Sequence, residues 1–481
     1  MKTNPNLSQA YYDRWNPAEQ ERIDADIERN RKADAMIALG APAGAEVKVE
    51  QLSHAFRFGA HIFNYDQLGT PERNERYRGL WNGYFADGAL FNSATIAFYW
   101  RPFEPVEGKM RFDPAPEDAE EWWNDHKEPK RERFWRRPPS EPCVRFCEDK
   151  GAWRHGHPLV WSNPQWHYPD WLMAWLPHAI LAEMLTDDRS GVSILKQPMD
   201  EVLKRLPPDF PDIVESTLRR RIEAIAGRYG HRIDSWDVCN ESADDYAMGN
   251  LVPGSRLSRS YRKTWMPGDY CHWAFRECMR AFPAKSVLSI NDYKLEETYA
   301  NQTRDQLARG DKIDLQGMQM HLFNPKQVEE IAQGAELRSP AHTRGLIDAA
   351  HARPGLPIHL SEITISAPGG DARGESIQAE VARNLYRLWF SLPDMVAITW
   401  WNTVDDCGAP GEPSVSGLFH RDMTPKASYG ALDELINHEW HTQTTVRAAA
   451  DGSVSFRGFR GRYRLSWRTP SGATREMETS V

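Results

Sequence analysis

Short apolar runs alternate with longer amphipathic ones along most of the 481 residues. Near the start, AEQERIDADIERNRKADAMIALG (18–40) sets Ile23, Ile27 and Ile37 on one helical face among charges, and Gly40 follows; this predicts a helix with a glycine stop. EVKVEQL (46–52) alternates with period two and predicts a strand. Eight further apolar or β-branched runs follow: FRFGAHI (56–62), FNSATIAF (91–98), HGHPLVW (155–161), SWDVCNE (235–241), SVLSINDY (286–293), LQGMQMH (315–321), PIHLSEIT (357–364) and VAITWW (396–401). Helical patterns lie between them, clearest in ESTLRRRIEAIAGRYG, CHWAFRECMRAF and SIQAEVARNLYRLWFSL. Strands that alternate with helices predict either a (β/α)8 TIM barrel or a doubly wound sheet. The placement of polar groups favours the barrel. His157 and Trp161, Asn240 and Glu241, Asn291 and Asp292, Gln319 and His321, Glu362, and Trp401 all stand at the C-terminal ends of strands, the rim where barrel enzymes build their sites.

The same reading divides the chain. Residues 1–52 form an N-terminal helix and strand extension, and 53–438 form the α/β barrel, with insertions at 117–142, 162–212 and 405–417. Residues 439–481 alternate around Asp451-Gly452 and Ser471-Gly472, which predicts a small antiparallel β appendage to which EVKVEQL adds a strand.

Composition narrows the partner. The net charge is −9 with acids and bases interleaved, which argues against nucleic acid. The 19 Trp, 16 Tyr and 18 Phe often stand beside His, Asn, Asp and Glu, a mixture that suits the apolar faces and polar rims of sugar rings. The six cysteines form no CxxC pair and no zinc-spaced cluster, so neither a metal nor another cofactor is expected. The N-terminus has no signal-type apolar core and no run is long enough to span a membrane, so the expected location is cytoplasmic, or periplasmic or secreted if a signal preceded this numbering. Oligomeric state is not encoded in any of these features.

The rim residues carry the chemistry. Period two puts Asp237, Cys239 and Glu241 on one face of their strand, and Ile358, Leu360 and Glu362 on one face of theirs. Two glutamates then reach one rim from nearly opposite strands. A lone buried glutamate usually pairs with a base for structural reasons; two at equivalent strand ends, ringed by Trp, His, Asn and Gln, point to catalysis. Glycosidic cleavage needs one carboxylic acid to protonate the leaving oxygen and one carboxylate at the anomeric carbon, about 5–5.5 Å apart for retention and 6.5–9.5 Å for inversion.

WDVCNE followed by LSEIT resembles the acid/base and nucleophile segments of glycoside hydrolase family 10, the retaining (β/α)8 xylanases. FRFGAHI, HGHPLVW, PDWL, INDYKLE, LQGMQMH, ITWW and SGLFHRDMTPKASYGAL are similar to further family segments, in order, from about residue 54 to 437. The resemblance implies that Glu241 is the general acid and then base, and that Glu362 is the nucleophile. It implies that Asn240 holds the sugar 2-hydroxyl, that His321 orients the nucleophile with Gln319 in support, and that His157 binds a glycone hydroxyl between Trp161 and Trp401. The chain departs from the family in strand two, where TIAFYW replaces a Glu-Asn-x-x-Lys-Trp element and Tyr99 stands in place of the lysine. Ser162 replaces a histidine and Asn402 a glycine. The expected substrate is therefore xylan or xylo-oligosaccharides, with short or small-molecule β-glycosides as the alternative. A non-catalytic sugar-binding protein is the reading from another class, and the acid/base pair speaks against it.

Overall fold

The computed structural model describes residues 3–83, 85, 88–118, 137–185, 197–409 and 411–481. Eight parallel strands close on themselves: Arg57–His61, Ser93–Ala97, Trp153–His157, Ser235–Asn240, Val287–Asp292, Leu315–Leu322, Ile358–Ile365 and Met395–Trp400. The eighth pairs with the first, through Ala397 to Arg57 and Trp400 to Ala60, so the sheet has no free edge and is a TIM barrel. They are numbered one to eight below. Val160–Trp161 forms a short extra pairing with strand four. Helices cover the outside, among them Phe210–Tyr229, Tyr270–Ala281 and Ala372–Ser391, each with its apolar face buried against the sheet.

Single-residue irregularities decide which side chains enter the barrel. The pairing of strands four and five slips between Ser289 and Ile290, so that Asp237 and Cys239 take successive partners with Val238 skipped. Asp237 points into the barrel between His155 and His157, whereas Cys239 lies beside Cys271 under the helices. The shared face expected for Asp237, Cys239 and Glu241 is therefore broken, and Asn240 is turned inward instead. Strand seven slips likewise against strand six: Met318 pairs with Leu360 and Gln319 with Glu362. His359 and Ser361 face the interior, bonded to Thr399 and Asn291, and the extra residue brings the adjacent Glu362 in beside them. Leu360 is consequently on the helix side, and the expected Ile358, Leu360 and Glu362 face does not form.

The N-terminal helix also ends earlier than its periodicity indicates. It spans Pro17–Arg31, capped by Asn16, and the chain then becomes strand Lys32–Ala38. That strand pairs antiparallel with Ser453–Phe459, which overrides the local helical pattern. Ile23 and Ile27 join the barrel core, while Ile37 packs with the C-terminal strands. Glu46–His54 lies between Gln443–Arg447 and Gly461–Arg468, with Thr474–Ser480 at the edge. Extension and appendage thus share one β unit around Val47, Val49, Phe456, Tyr463 and Trp467.

Of the three insertions, 117–142 overlaps helix Ser140–Asp149, and its residues 119–136 are outside the described part. The 162–212 stretch carries helices Asp170–Met173, His178–Leu185 and Met199–Arg205. The 405–417 loop returns Glu412 to the rim. All six cysteines are buried, and none of them forms a disulfide among the described residues. No described helix is long and apolar enough to cross a membrane.

Candidate active site

A cavity of about 750 Å³ opens at the C-terminal rim of the barrel. Tyr99, His157, Trp161, Asn240, Glu241, Gln319, His321, Glu362 and Trp401 all line it.

Glu362 is the more enclosed carboxylate, only 5% exposed. Asn291 Nδ2 donates to its Oε1 at 2.9 Å and to Asn240 Oδ1 at 2.9 Å. Asn291 is itself oriented by Ser361 Oγ, which donates to Asn291 Oδ1 at 2.5 Å. Only glycine fits at 317, because a Cβ there would lie 2.5 Å from Asn291 Oδ1. On its other oxygen Glu362 meets His321 Nε2 at 3.3 Å, and His321 Nδ1 lies 2.9 Å from Thr364 Oγ1. Burial pushes the Glu362 carboxyl up to about 8, aided by the negative charges of Glu241 and Asp237 and opposed by His157 and the Asn291 bond. Burial likewise holds the His321 ring down near 4, so it is neutral at physiological pH.

Glu241 follows the end of strand four in a left-handed conformation, φ 53°, with its N–H bonded to the Asn291 carbonyl at 2.8 Å. Its carboxylate accepts from Trp161 Nε1 at 3.1 Å, Gln319 Nε2 at 3.2 Å and Arg262 Nη2 at 2.5 Å. Gln319 also reaches Asn240 Oδ1 at 3.3 Å. Asn240, Asn291 and Gln319 therefore tie the two glutamates into one amide network, while only Glu241 has a cationic partner.

Behind them, Asp237 accepts from His157 Nδ1 at 2.7 Å, and His155 Nε2 lies 3.0 Å from the same oxygen. Burial would raise this carboxyl, but the two imidazoles hold it well below the usual carboxylate range. The bond fixes the His157 ring with Nε2 toward Glu362 Oε1, 3.8 Å away. HGH is thereby accounted for as a clamp on Asp237, and the described residues contain no group of three or more His, Cys, Asp or Glu suited to a metal ion.

One wall is aromatic. The Trp401 ring meets His61, Phe63 and His157 edge-on at centroid distances of 5.1, 5.3 and 5.5 Å. Tyr99 fills the space between Phe63, His157 and Trp161 and is itself buried. The Arg137 guanidinium lies 4.6 Å from the Phe63 ring centroid and 5.4 Å from that of Tyr99. Behind this wall the buried Arg221 donates to the carbonyls of Phe98, Pro158 and Leu159, fixing the ends of strands two and three.

Comparison with known proteins identifies the scaffold. The model of glycosyl hydrolase family 10 matches residues 123–435, about two thirds of the chain. The protein belongs to this family. Endo-1,4-beta-xylanase A of Caldicellulosiruptor sp. (strain Rt8B.4) is 25% identical over 310 residues, 61% of this chain and 38% of that protein. Endo-1,4-beta-xylanase B of Thermotoga neapolitana is 24% identical over 338 residues, 68% of this chain and 80% of that protein. The chain thus spans well under half the length of the first relative and most of the second. Xylanase 10B from Thermotoga maritima shares the fold with a TM-score of 0.50 at 20% identity, covering 80% of this chain and 96% of that one.

The family match begins after strand two, the element whose rim residues depart from the family pattern. Two other departures now have physical content. Asn402 joins His61 Nε2 at 3.1 Å to Glu412 Oε2 at 3.0 Å, bracing the wall on which Trp401 sits. Ser162 is buried, and its carbonyl accepts from Thr264 Oγ1 at 2.8 Å. Sequence reasoning missed Arg137, Arg262, Arg338 and Glu412 on the cavity wall. All four lie in loops, where no periodicity announces a return to the rim. In the sequence Asn291 reads only as a polar strand end, and Asp237 only as a member of a face.

Proposed function

We propose that the protein is a retaining β-glycoside hydrolase, with Glu241 as acid/base and Glu362 as nucleophile, acting on short β-1,4-xylosyl chains. The observation that carries this reading is the amide network of Asn240, Asn291 and Gln319, which holds two carboxylates in one cavity in unlike surroundings. In the free protein these surroundings favour a proton on Glu362 and an ion pair between Glu241 and Arg262, so the assignment of the two roles rests on the family resemblance and requires the proton to sit on Glu241 once substrate is bound. In the first step Glu241 gives its proton to the leaving oxygen while Glu362 Oε2 attacks the anomeric carbon; in the second, Glu241 takes a proton from water as the glycosyl ester is hydrolysed. Positive charge developing at the anomeric carbon favours ionised Glu362 and offsets the burial that raises its pKa. Asn240 is within reach of a 2-hydroxyl, and neutral His321 supports the attacking carboxylate.

The named relatives are endo-1,4-β-xylanases, which supports xylose as the sugar. The aromatic wall of Phe63, Tyr99 and Trp401, braced by Arg137, favours a short glycone over a long chain, and this is the ground for a second reading as a hydrolase of small-molecule β-glycosides. The test compares xylan, xylo-oligosaccharides and aryl β-xyloside, β-glucoside and β-galactoside, with NMR of the first-formed anomer. The expected result is higher kcat/KM on xylo-oligosaccharides than on polymer, with β-configured product. An α product would remove the retaining mechanism, internal cutting of xylan at ordinary endo-xylanase efficiency would remove the short-chain preference, and activity on aryl glucoside or galactoside alone would favour the second reading.

A further inference from the structure

The cavity carries more positive charge than a neutral sugar requires. Four arginines line it, Arg101, Arg137, Arg262 and Arg338, against three glutamates, Glu241, Glu362 and Glu412. Glu362, pushed up to about 8, is largely protonated at neutral pH, so the basic excess grows. The chain as a whole is acidic, at −9, so this concentration of guanidinium groups is local and focuses a positive field into the cavity.

The four are not equivalent. Arg101 Nη2 is 3.0 Å from Asp170 Oδ2, and Arg262 is bonded to Glu241. Arg137 lies over Phe63 and Tyr99. Arg338 forms no ion pair among the described residues, and its Nε is buried without an acceptor. Its charge lies near enough to His321 to help hold that ring neutral, after the larger effect of burial. The backbone at Arg338 is left-handed, φ 57°, and its N–H donates to His342 Nδ1 at 3.1 Å, so the loop sets the side chain in place. A desolvated cation without a counter-ion costs free energy that nothing else in this loop returns. A bound anion would return it.

Arg338 follows strand six, whose end carries His321 and the Phe323 ring stacked on it at 4.1 Å. If His157, Trp161 and Trp401 hold the glycone, as the family resemblance implies, this side of the cavity faces the leaving group. We propose that Arg338 receives the carboxylate of a uronic acid carried on the leaving-group side of the substrate, which makes acidic glycosides better substrates than neutral ones. The planar fork of a guanidinium matches a carboxylate in two parallel hydrogen bonds, and Phe323 offers an apolar face to the sugar that bears it.

This inference rests on the glycosidase reading, and the experiment separates the two. Xylotetraose bearing one glucuronic acid branch is assayed as the free acid and as its methyl ester, with unbranched xylotetraose alongside. The expected kcat/KM for the acid exceeds that for the ester by about ten- to a hundredfold at low salt, the range of a charge-assisted hydrogen bond, and the ratio falls as ionic strength rises. Arg338→Gln should bring the ratio to within about twofold of one, whatever it does to the absolute rates, and Arg338→Lys should leave an intermediate ratio. Equal turnover of acid and ester by the unaltered enzyme, with unbranched xylotetraose cleaved normally, overturns the uronate proposal alone; so does a ratio that Arg338→Gln leaves unchanged. Failure to cleave any of the three overturns the reading as a hydrolase of xylosyl chains and the inference with it.

Discussion

Replacing Glu362 by glutamine should make the protein more stable at alkaline pH and leave it nearly unchanged in acid. The carboxyl is 5% exposed, has no cationic side chain bonded to it and is pushed from 4.5 up to about 8, chiefly by burial. The folded protein therefore binds this proton more tightly than the unfolded chain does. The corresponding stability is fully present below about pH 4.5 and is lost as the pH rises through about 8. At 1.36 kcal/mol per pK unit, the span of about 3.5 units corresponds to about 5 kcal/mol as an upper value. Unfolding entropy near 2.1 cal/mol/K per residue gives about 1 kcal/mol/K for this chain, so the shift in Tm is about 5 °C. Glu362→Gln keeps the shape and cannot ionise. Calorimetry of both proteins should find Tm values within about 1 °C at pH 5 and the variant higher by about 5 °C at pH 9. The raised carboxyl of Asp292, near 7, is common to both proteins and cancels in the difference. A Tm difference that does not change between pH 5 and 9 would refute the burial argument.

Asn291→Ala removes the hydrogen bond that favours ionised Glu362, so kcat should fall about ten- to a hundredfold and the acidic limb of kcat/KM should move to higher pH, read from a pH–rate profile. Gly317→Ala places a methyl where Asn291 Oδ1 now sits, 2.5 Å away; at least a tenfold loss of kcat is expected, with near-UV circular dichroism unchanged. Tyr99→Lys restores the family's side chain but buries an ammonium beside Arg137, so Tm should fall and kcat/KM on xylan should not rise. An improved xylan rate in that variant would show that the strand-two departure is the sole obstacle to polymer.

The barrel was legible because its eight strands each carry a compact apolar run and because polar side chains gather at their C-terminal ends. The same clustering brought forward eight of the side chains that line the cavity, His157, Trp161, Asn240, Glu241, Gln319, His321, Glu362 and Trp401, and the departure from the family pattern brought forward Tyr99. What the sequence hid was non-local or one residue long. The Val238 and Ser361 irregularities reverse the faces of two strands without changing any composition, so strict alternation put Cys239 and Leu360 on the wrong side. The KADAMIA segment reads as helix until its pairing with residues more than 400 positions away is known, from Lys32 to Phe459 through Ala38 to Ser453. Arg137, Arg262, Arg338 and Glu412 reach the cavity from loops, and a charge in a loop reads as solvated surface until the fold turns it inward. Asn402 was visible as a departure from the family glycine, but its bridge between His61 and Glu412 depends on how the 405–417 loop folds back.

The central claim, covalent catalysis by Glu362 with Glu241 as its acid/base, is tested most directly by trapping the intermediate. In a 2-deoxy-2-fluoro β-xylobioside the fluorine slows both steps and a good leaving group restores the first, so the glycosyl ester accumulates. Mass spectrometry of the intact protein should then find one added xylobiosyl unit, and peptide mapping should place it on Glu362, with no labelling of Glu362→Gln. A label on Glu241 or any other residue, or full turnover with inverted product and no label, would contradict the account.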